Sequence, residues 1–592
     1  MAKSKNLSKA AVTELRKQLP HLRDPKYLEF FALKNQSLAA ADLLARAASG
    51  DLAETADEYV ANFRETTSSP LAAVGFARVY GLLNGEAARA TSLEIFEHVT
   101  STSKIKLTSS QLDYYNFLLI HGGLGEKAAR QAKHSFVRTA VSYDQTPEAW
   151  HREFAGLFGS IGKKLKPLEP GANIFRKLAG NDLNTKVTGD SLVSVIMTTY
   201  KPDADAEHAI NSILEQTYTN FELIIVDDGS GPEYRDLLNR FQAKDSRIRL
   251  VLLEKNVGTY GARNAGWLHA NGRYLTGQDS DDWAHPMRLE LQVKNLDDKP
   301  ELAGNWCRGI RVNEHLQLDI RDGNYPLRKG ERSVAVSMMI RHSPTFLRLG
   351  FFDGARKGAD TEYLHRLKAV FGASSFAEIP EVLYVIQARY DSLSRTDFAP
   401  DWKHPNRQIY ATAFGRWQRK VAQGKGGSHF IDLTETRRFP VPFAFTPAAK
   451  RNVSRQFDAV FLGDWYSTSR RQSWLLKQLK DSADSGQKVA FAQVDSFFKK
   501  FARQGKPSNE LFELYESGRV DFVALDDKNV TVKKLVTPNE FVYFAEQKPS
   551  NLDVANLELV SFSDSIGEFE TLAESVSQMI FPKAKVARLS VS

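Results

Sequence analysis

Three carboxylates are crowded into one short stretch of the sequence. Asp279, Asp281 and Asp282 lie within "TGQDSDDW", at the end of an apolar run that predicts a buried strand. Like charges at this spacing raise one another's pKa values unless a cation or a hydrogen-bonding ligand offsets them. Oxygen ligands without His or Cys suit Mg²⁺ or Mn²⁺, and Mg²⁺ usually joins one or two carboxylates to a substrate phosphate. The stretch therefore predicts a Mn²⁺ or Mg²⁺ site that also holds a diphosphate.

Polar side chains also follow the earlier predicted strands. In an open parallel sheet, ligands bind beyond the carboxyl ends of the strands, so these side chains are expected to share one binding edge. Such residues also make turns and cap helices after strands, so a purely structural role stays open for each of them. The residues at these strand ends are Thr198, Thr199, Tyr200, Asp227, Asp228, Gly229, Ser230, Asn256 and Gly258.

The elements that must position these residues alternate between strand and helix from Ser191 onwards. The pattern begins with the strand "LVSVIMTTY", the helix "AEHAINSILEQTY" and the strand "FELIIVDD", and it continues to the strand "RYLTGQD". This alternation predicts a parallel sheet with right-handed crossovers and helices on its faces.

The flanking regions have different patterns. Upstream, "YLEFFALKNQSLAAADLLARAA" places apolar residues at three- and four-residue spacing, which predicts helices. Downstream of Phe457, "FDAVFLGDWY", "RRQSWLLKQLKDSA" and "QKVAFAQV" predict strand, helix and strand, and "VDFVALDD" and "NEFVYFAE" suggest further strands. A chain of 592 residues exceeds the size of one core. We predict a helical domain with a basic linker (1–185), an α/β domain (186–425) and a smaller α/β domain (426–592).

Composition excludes several classes of protein. Hydrophobic residues are 42% and charged residues 25% of the chain, which is typical of globular proteins. The net charge of +8 favours acidic partners such as nucleotides, phosphosugars or anionic lipid. A single cysteine, Cys307, excludes a disulfide framework or a thiolate zinc site and fits a reducing compartment, by default the cytoplasm. The N-terminus lacks the pattern of a secretory signal, and the apolar runs are too short to span a membrane.

A basic segment lies between the helical and α/β regions. Its cations alternate with Ile, Leu and Phe, which allows peripheral attachment to anionic lipid, although a solvated basic linker is the favoured interpretation. These cations are Lys163, Lys164, Lys166, Arg176 and Lys177.

Two stretches of the chain come near known phosphate-binding motifs but do not match them. "GLFGSIGKK" lacks the spacing of a P-loop, and "GTYGARNAG" is not GxGxxG.

Four pieces of sequence together resemble a known family. "VSVIMTTYKP", "ILEQTYTNFELIIVDDGS", "NVGTYGARNAG" and "YLTGQDSDDW", in this order, are similar to the nucleotide-sugar-binding half of inverting family 2 glycosyltransferases. The resemblance covers about residues 190–400 and implies a GT-A fold. It also implies a metal-dependent enzyme that moves a sugar from a nucleoside diphosphate, UDP above all, to a hydroxyl.

The resemblance implies roles for individual residues. Thr198 and Asp228 would contact the nucleotide base, with Asp227 beside them and Tyr200 in the same nucleotide-sugar site. Arg263 would lie near the diphosphate. "DSD" would be the family's DXD motif, in which Asp279 faces the ribose and the metal and Asp281 holds the metal. Asp282 would be a less direct metal contact, and a turn residue is the alternative for it.

The acceptor side departs from the family pattern. "LGFFDGARKGADTEYLHRL" resembles the acceptor-side segment, but Ala359-Asp360 stands where the family usually has Glu-Asp. Asp360 is the candidate general base, and a helix cap is the alternative role. "YVIQARYDSLSR" resembles the closing segment and assigns Arg389 to the diphosphate. Gln387 to Tyr390 does not match the Gln-x-x-Arg-Trp of processive members, so a non-processive enzyme is expected.

The resemblance implies a glycosyltransferase of bacterial cell-envelope or capsule glycan synthesis. The expected partners are a nucleotide-sugar donor and a glycan or lipid-linked acceptor, and no nucleic acid. The expected location is the cytoplasm, with contact at the inner face of the membrane allowed. Two alternatives stay open: a non-catalytic nucleotide-sugar-binding scaffold, and a metal-dependent nucleotidyltransferase.

Overall fold

The architecture is known from a computed structural model. The structure describes residues 7–131, 135–143, 146–168, 173–181, 186–318, 331–389, 397–399, 402–434, 437–447, 449, 453–495, 507–543, 545, 548–563 and 567–591. These residues form a helical N-terminal region followed by two separate sheets with helices around them. The predicted α/β fold class, with helices first and a second α/β unit last, is therefore confirmed.

The N-terminal region is built from helices that begin at residues suited to start them. Ser37 accepts a hydrogen bond from the Ala40 amide and caps α3, and Pro70 occupies the first turn of α5. The stretch 27–48, predicted as helical, forms two helices, because Gln36 adopts a left-handed conformation between them. The helices are α1 Lys9–Gln18, α2 Pro25–Asn35, α3 Leu38–Ser49, α4 Ala56–Thr66, α5 Pro70–Asn84, α6 Arg89–Thr102, α7 Ser109–His121, α8 Gly125–Gln131, α9 Ser135–Ser142 and α10 Pro147–Gly156.

The first sheet begins as predicted, with parallel strands in the order β3-β2-β1-β4. Its strands are β1 Val193–Thr199, β2 Phe221–Asp227, β3 Ile248–Leu252, β4 Tyr274–Asp279, β5 Trp283–Ala284, β6 Gly304–Val312, β7 Arg332–Ser333, β8 Met339–Arg341 and β9 Phe376–Gln387. Its helices are α11 Ala204–Leu214, α12 Arg235–Ala243, α13 Thr259–Trp267, α14 Arg288–Asp297, α15 His342–Leu349 and α16 Ala359–Phe371.

The remainder of the first sheet is mixed. Beyond β4 the order continues β8-β6-β9-β5, with β8 antiparallel to β4 and β6, β9 parallel to β6, and β5 antiparallel to β9. After this sheet come the short strands β10 Phe398–Ala399 and β11 Trp402–Lys403 and the long helix α17 Pro405–Ala422. Helix α17 contacts α16 and also reaches the second sheet region, where Arg416 donates to Glu516 at 3.0 Å.

The second sheet is parallel in every strand pair that the structure describes, in the order β14-β13-β12-β15-β16-β17. Counted from its own first strand, this is the 3-2-1-4-5-6 order of doubly wound folds. Its strands are β12 Arg455–Gly463, β13 Val489–Gln493, β14 Asp521–Phe522, β15 Val530–Pro538, β16 Leu552–Phe562 and β17 Lys585–Val591. Its helices are α18 Arg470–Asp484, α19 Asn509–Glu516, α20 Asn539–Tyr543 and α21 Glu568–Ile580.

One predicted strand of this region is wrong. The first residues of "NEFVYFAE" form the short helix α20. The strand of this region is β15, which precedes them and ends at Pro538. Phe541 and Val542 are both fully buried although they are neighbours in sequence. Such a short apolar run does not distinguish a buried strand from a buried helical turn.

The N-terminal helices cover one face of the second sheet. Leu28 and Phe76 from the helices share one buried apolar cluster with Val460 of β12 and Leu557 of β16. The helical region and the C-terminal region therefore share a core, although more than 300 residues of chain separate them.

The basic segment before β1 is packed rather than loose where the structure describes it. Leu165, Ile174, Phe175 and Leu178 are buried in the apolar cluster beside the first sheet, and Arg176 pairs with Asp205 at 2.6 Å. These apolar side chains therefore cannot insert into a bilayer, which leaves only surface cations for any lipid contact. Among the described residues, no helix is long and apolar enough to cross a membrane.

Candidate active site

A cleft of about 560 Å³ opens at the carboxyl ends of β1 and β4. Most of the predicted site residues line it, namely Tyr200, Arg263, Asp279, Asp281, Asp282, Asp360 and Arg389. Thr198 and Asp228 line an adjoining pocket of about 160 Å³ that shares Thr199, Tyr200, Thr259, Asp279 and Ser280 with the cleft. The expectation that the strand ends share one edge is thus met by the geometry.

The turn after β2 is fixed by its own carboxylates. Asp227 is buried and accepts a hydrogen bond from the Ser230 amide at 3.1 Å and another from the Ser230 hydroxyl. Gly229 has a φ of 73°, and a Cβ there would lie 2.7 Å from the Lys255 carbonyl carbon. The turn therefore requires glycine, and Asp227 holds it from within.

Asp228 joins this turn to the next strand end. Its two carboxylate oxygens accept the Val257 amide at 2.7 Å and the Gly258 amide at 2.9 Å. Gly258 directly precedes α13, so this carboxylate fixes the start of the helix that carries Arg263. Thr199, at the end of β1, is buried and its hydroxyl has no hydrogen-bonding partner in the described part of the chain.

The Asp279 carboxylate lies at the end of β4 and forms an ion pair within the cleft. Its Oδ1 accepts a hydrogen bond from the Arg263 guanidinium at 2.7 Å, and Arg263 is only 7% exposed. The arginine also lies over the Tyr260 ring, 5.2 Å from its centroid. A buried, directed cation therefore reaches the cleft beside the first carboxylate of the DSD triplet.

The other two carboxylates of the triplet have different surroundings. Burial and the charge of Asp279 raise the pKa of Asp281 to about 7. Asp282 is buried, and its Oδ1 accepts the Gln387 amide at 2.9 Å, which ties the end of β9 to the turn. Burial and the charge of Asp281 raise the pKa of Asp282 well above its ordinary value. Asp281 is thus left facing the cleft, whereas Asp282 is engaged with the backbone.

The strand that carries the triplet rests on buried polar contacts. Arg288 is fully buried and donates to the Gln278 side chain at 2.8 Å, the Thr276 hydroxyl at 2.7 Å and the Gly277 carbonyl at 2.7 Å. A Cβ at Gly277 would lie 2.8 Å from the Val336 carbonyl oxygen, so the glycine permits close approach of that backbone. These contacts hold the end of β4 in place, and no motif in the sequence indicated Arg288.

The acceptor-side segment places Asp360 and Ala359 in different environments. Asp360 lies in the first turn of α16 and lines the cleft, where its Oδ1 accepts the Thr361 amide at 2.6 Å. The N-cap of the helix is Gly358, so Asp360 is not the capping residue. Ala359, in place of the family's usual Glu, is fully buried in an apolar cluster with Tyr260 and Phe352.

Arg389 closes one side of the cleft. It bonds Asp203 at 3.2 Å and Asp205 at 3.3 Å, both near the start of α11. The remainder of the closing segment, residues 390–395, lies outside the described residues.

A set of basic residues in the cleft was missed by sequence analysis. They come from the second half of the sheet and from the segments after it, namely Arg311, Arg332, Arg356, Lys357 and Arg407. Burial lowers the pKa of the Arg356 guanidinium, as expected for a cation partly removed from water. The only signal in the sequence was the pair Arg356-Lys357 shortly before Asp360. Without the fold, this pair could not be distinguished from ordinary charged residues on the surface.

A divalent cation fits this carboxylate set. Within the described residues no group of three or more His, Cys, Asp or Glu side chains forms a complete metal cage. Mg²⁺ commonly takes one or two carboxylates and completes its shell with water and phosphate oxygens. Asp281 and Asp279 on the cleft wall suit that mode. Burial and the charge of Asp279 raise the pKa of Asp281, and a bound cation would lower it.

Comparison with known proteins assigns part of the chain to a family. The profile of the family described as "Glycosyl transferase family 2" matches residues 194–352. The glycosyltransferase GlyG of Streptococcus pneumoniae is 25% identical over 245 residues, which are 37% of this chain and 78% of GlyG. An Escherichia coli protein, UDP-Glc:alpha-D-GlcNAc-diphosphoundecaprenol beta-1,3-glucosyltransferase WfgD, is 40% identical over 107 residues. That match covers 18% of this chain and 42% of WfgD.

A solved structure was also matched. TarS residues 1–349 of S. aureus, in complex with UDP-GlcNAc, aligns with 37% of this chain and 64% of that chain, at 17% identity and a TM-score of 0.30. A TM-score this low does not establish a shared fold, so the assignment depends on the sequence matches. The family profile and the named relatives support a glycosyltransferase. Residues 194–352 of the chain are a glycosyl transferase family 2 domain.

Proposed function

We propose that this domain catalyses metal-dependent, inverting and non-processive transfer of a sugar from a nucleoside diphosphate donor, UDP above all, to a hydroxyl group. The observation that carries the proposal is that Asp281, the Asp279–Arg263 pair and Asp360 line one cleft. Carboxylates for a cation, an arginine for a diphosphate and a carboxylate for a proton are the groups that such a transfer needs.

The donor side of the cleft supports nucleotide binding. Thr198 and Asp228 line the smaller pocket at the ends of β1 and β2, which suits the base and ribose, with Tyr200 at its mouth. Arg263 and Arg389 line the larger cleft, where a diphosphate would extend towards Asp281. Asp227 would act through the turn that it holds rather than by direct contact.

Asp279 and Asp281 would hold Mn²⁺ or Mg²⁺. When bound, the metal would offset negative charge on the departing diphosphate. Asp282 would help by fixing the turn, because its carboxylate already accepts the Gln387 amide. Arg263 keeps one oxygen of Asp279 engaged in the absence of ligand and so orients that carboxylate.

Asp360 would act as the general base. It would accept the proton of the acceptor hydroxyl while that oxygen forms a bond to the anomeric carbon and the bond from this carbon to the diphosphate oxygen breaks. Attack from the face opposite the diphosphate gives inversion. Because the reacting sugar passes through an oxocarbenium-like state, alignment of donor and acceptor matters as much as the base.

We place the reaction in the synthesis of a bacterial cell-envelope or capsule glycan. The name of WfgD includes a UDP-sugar donor and a lipid-diphosphate-linked acceptor, which supports this class of substrate. We further propose a cytoplasmic location, in keeping with one buried, unpaired cysteine. The division at about residues 185 and 425 stays a proposal, supported by the long connections from α10 to β1 and from α17 to β12.

The proposal is tested by thermal stabilisation of the full chain with a panel of UDP-, GDP-, CDP- and dTDP-sugars, with and without Mn²⁺. We expect one nucleotide class, UDP first, to raise the melting temperature only with the metal. Asp281→Ala should remove that shift. Asp298→Ala, which alters an exposed carboxylate at the end of α14, should keep it.

The outcomes separate the alternatives. Equal stabilisation of Asp281→Ala would refute the metal site. Stabilisation by nucleoside triphosphates without any effect of nucleotide sugars would indicate a nucleotidyltransferase. Metal-dependent binding with no transfer to any hydroxyl acceptor would indicate a scaffold without catalytic activity.

A further inference from the structure

A second cavity lies beside the acceptor side of the cleft. Its volume is about 260 Å³, and Lys357 lines both this cavity and the cleft. One wall comes from the start of α17 and another from the segment at 443–445. The third comes from the second sheet, through Arg455 of β12 and the loop 526–529 before β15. The cavity therefore joins the family 2 domain to the C-terminal α/β region.

A buried amide oxygen without a hydrogen-bonding partner among the described residues lies in the wall of this cavity. Asn406 lines the cavity and is 3% exposed, and its Oδ1 has no hydrogen-bonding partner within the described chain. A buried acceptor left without a donor is unfavourable, because the loss of its hydrogen bonds to water is not compensated. Arg455 lines the same cavity, is 7% exposed, and its Nε likewise has no partner there. Both groups are shielded in the wall of the cavity, and a bound polyhydroxylated ligand would satisfy them once the two side chains turn towards it.

The charges on the cavity wall are paired with one another. Lys357 bonds Asp397 at 2.8 Å, and Arg455 bonds Asp527 at 2.6 Å. The backbone N–H of Asn406 donates to His404 Nδ1 at 3.1 Å. The ring hydrogen of His404 is therefore on Nε2, which donates to Asp526 at 2.9 Å. Because the lining carries three cations (Lys357, Arg455 and Lys528) and three carboxylates (Asp397, Asp526 and Asp527), a neutral polar ligand fits better than an anion.

An aromatic side chain completes the wall. Phe443 lines the cavity, and the Arg455 guanidinium stacks 4.3 Å from its ring centroid. Paired carboxylates, amides and a guanidinium supply hydrogen bonds to hydroxyl groups, and an aromatic ring supplies apolar contact. The volume lies just below the usual range of ligand pockets, about 300–1,000 Å³, which limits the occupant to a small unit.

We propose that this cavity binds a neutral saccharide unit of the acceptor, beyond the sugar whose hydroxyl reacts at Asp360. The inference rests on the proposed function, because Lys357 is only three residues from the proposed base and connects the two cavities. An acceptor with its reacting hydroxyl at Asp360 would extend past Lys357 into the second cavity. The C-terminal region would then supply part of the acceptor site, which explains its fusion to the catalytic domain.

The test uses two variants of the full chain. Lys528→Ala combined with Asn529→Gly removes two exposed side chains from the rim, and glycine is chosen because Asn529 has a φ of 57°. Asn406→Ala removes the buried amide. Lys585→Ala, an exposed residue on the edge strand β17, is the matched control.

The probe is an array that carries bacterial envelope oligosaccharides and their component monosaccharides, read with labelled protein and no donor. We expect the wild type and the control to retain at least one oligosaccharide of two or more neutral sugars, and both cavity variants to lose about tenfold or more in affinity. Three results would each overturn the inference. They are wild-type glycan affinity in both variants, no binding of any oligosaccharide on the array, and binding only of phosphorylated or acidic glycans.

The same variants separate this inference from the proposed function. Metal-dependent stabilisation by nucleotide sugars involves no acceptor and should be the same in the wild type and both cavity variants. If that stabilisation is present while glycan binding is insensitive to the cavity variants, only the acceptor subsite is refuted. If the wild type shows no nucleotide-sugar stabilisation, the proposed function fails whatever the array shows.

Discussion

The two sheets of this protein begin with the same strand order but meet different neighbours at their carboxyl ends. The first sheet runs β3-β2-β1-β4 and the second runs β14-β13-β12-β15, so each places its first and fourth strands side by side. In the first sheet, this edge opens onto the cleft that Asp279, Asp281 and Asp360 line. In the second sheet, the corresponding edge is covered by protein.

The covering contacts of the second sheet are specific. Lys34 of α2 pairs with Asp495, just after β13, at 2.9 Å, and both side chains are 9% exposed. Burial and then the charges of Asp464 and Asp495 raise the pKa of Tyr27, also on α2. Asp464 is fully buried and accepts the Tyr466 amide at 3.2 Å, as a turn residue does. The helical region thus occupies the edge where an open sheet of this order would bind a ligand.

The comparison shows that sheet order alone does not make a site. Carboxylates also follow the first two strands of the second sheet, but Asp464 after β12 holds a turn and Asp495 after β13 binds Lys34 of α2. Among the described residues, the first edge has a cleft that carboxylates line, whereas at the second edge Lys34 of the helical region pairs with a carboxylate. Function therefore depends on which edge the rest of the chain leaves open.

The largest expected effect comes from replacing a carboxylate on the open edge. Asp360→Asn should lower transfer by about 10²- to 10⁴-fold, because the amide cannot accept the proton of the acceptor hydroxyl. Metal-dependent nucleotide-sugar binding should stay unchanged, since Asp360 lies outside the donor pocket. Initial rates of transfer and calorimetric binding measure the two properties separately.

The matched change on the covered edge is Asp464→Asn. It preserves size at a fully buried carboxylate, and we expect full transfer activity from it. If Asp464→Asn lost as much activity as Asp360→Asn, the contrast between the edges would be wrong. Retained activity in Asp360→Asn would remove this residue from the mechanism.

A stability effect of intermediate size should come from opening the covered edge. Lys34→Met removes the ammonium group from a buried carboxylate, which typically costs about 3 kcal/mol. Hydrogen exchange of peptides covering β12 and β13 should accelerate accordingly. Lys480→Met, at an exposed pair with Glu510, should cost less than about 1 kcal/mol.

The nucleotide-binding cleft should be insensitive to both lysine variants. Unchanged protection of β12 and β13 in Lys34→Met would mean that the helical region is not what closes this edge. A loss of nucleotide-sugar binding in the same variant would instead indicate that the two edges communicate.

The sequence predicts the first sheet and the DSD turn because their signals are local. Apolar runs of strand length, the turn glycine Gly229 and three neighbouring carboxylates can be recognised without a fold. The different roles of Asp281 and Asp282 could not be predicted, because the Gln387 amide that engages Asp282 lies 105 residues further along the chain. The same holds for Arg288, which becomes a buried support only when α14 packs beneath β4.

Long-range packing also explains what was missed elsewhere. The cations Arg311 and Arg407 are separated by about a hundred residues and meet only in the folded cleft. Lys34 was an ordinary helix-surface residue in the sequence and is a buried ion-pair partner in the structure. The strand prediction for "NEFVYFAE" was wrong because five consecutive apolar residues fit either a buried turn of helix or a strand.

The smallest expected effect is a pH dependence confined to the open edge. The pKa of Asp281 is about 7 in the metal-free protein, so below pH 7 its carboxyl group is mostly protonated and must release that proton to bind a cation. We expect Mn²⁺-dependent affinity for a nucleotide sugar to fall about tenfold per pH unit below 7 and to be nearly constant above it. Calorimetry with an intact nucleotide sugar is suitable, because its diphosphate diester does not titrate in this range.

The free energy of unfolding of the metal-free protein should change with pH in the opposite direction. A carboxyl group whose pKa is raised on folding binds more protons in the folded state between its ordinary value of 3.8 and about 7. The free energy of unfolding should therefore decrease as pH rises through that window, and Mn²⁺ with the nucleotide sugar should reverse the decrease above pH 7. Asp281→Asn should abolish the pH dependence of metal affinity and reduce that of stability, to which the raised pKa values of Asp282 and Asp42 also contribute, whereas Asp464→Asn should keep both. A pH-independent metal affinity in the wild type would show that the charge of Asp281 is already compensated and would remove the main physical reason for a cation at this edge.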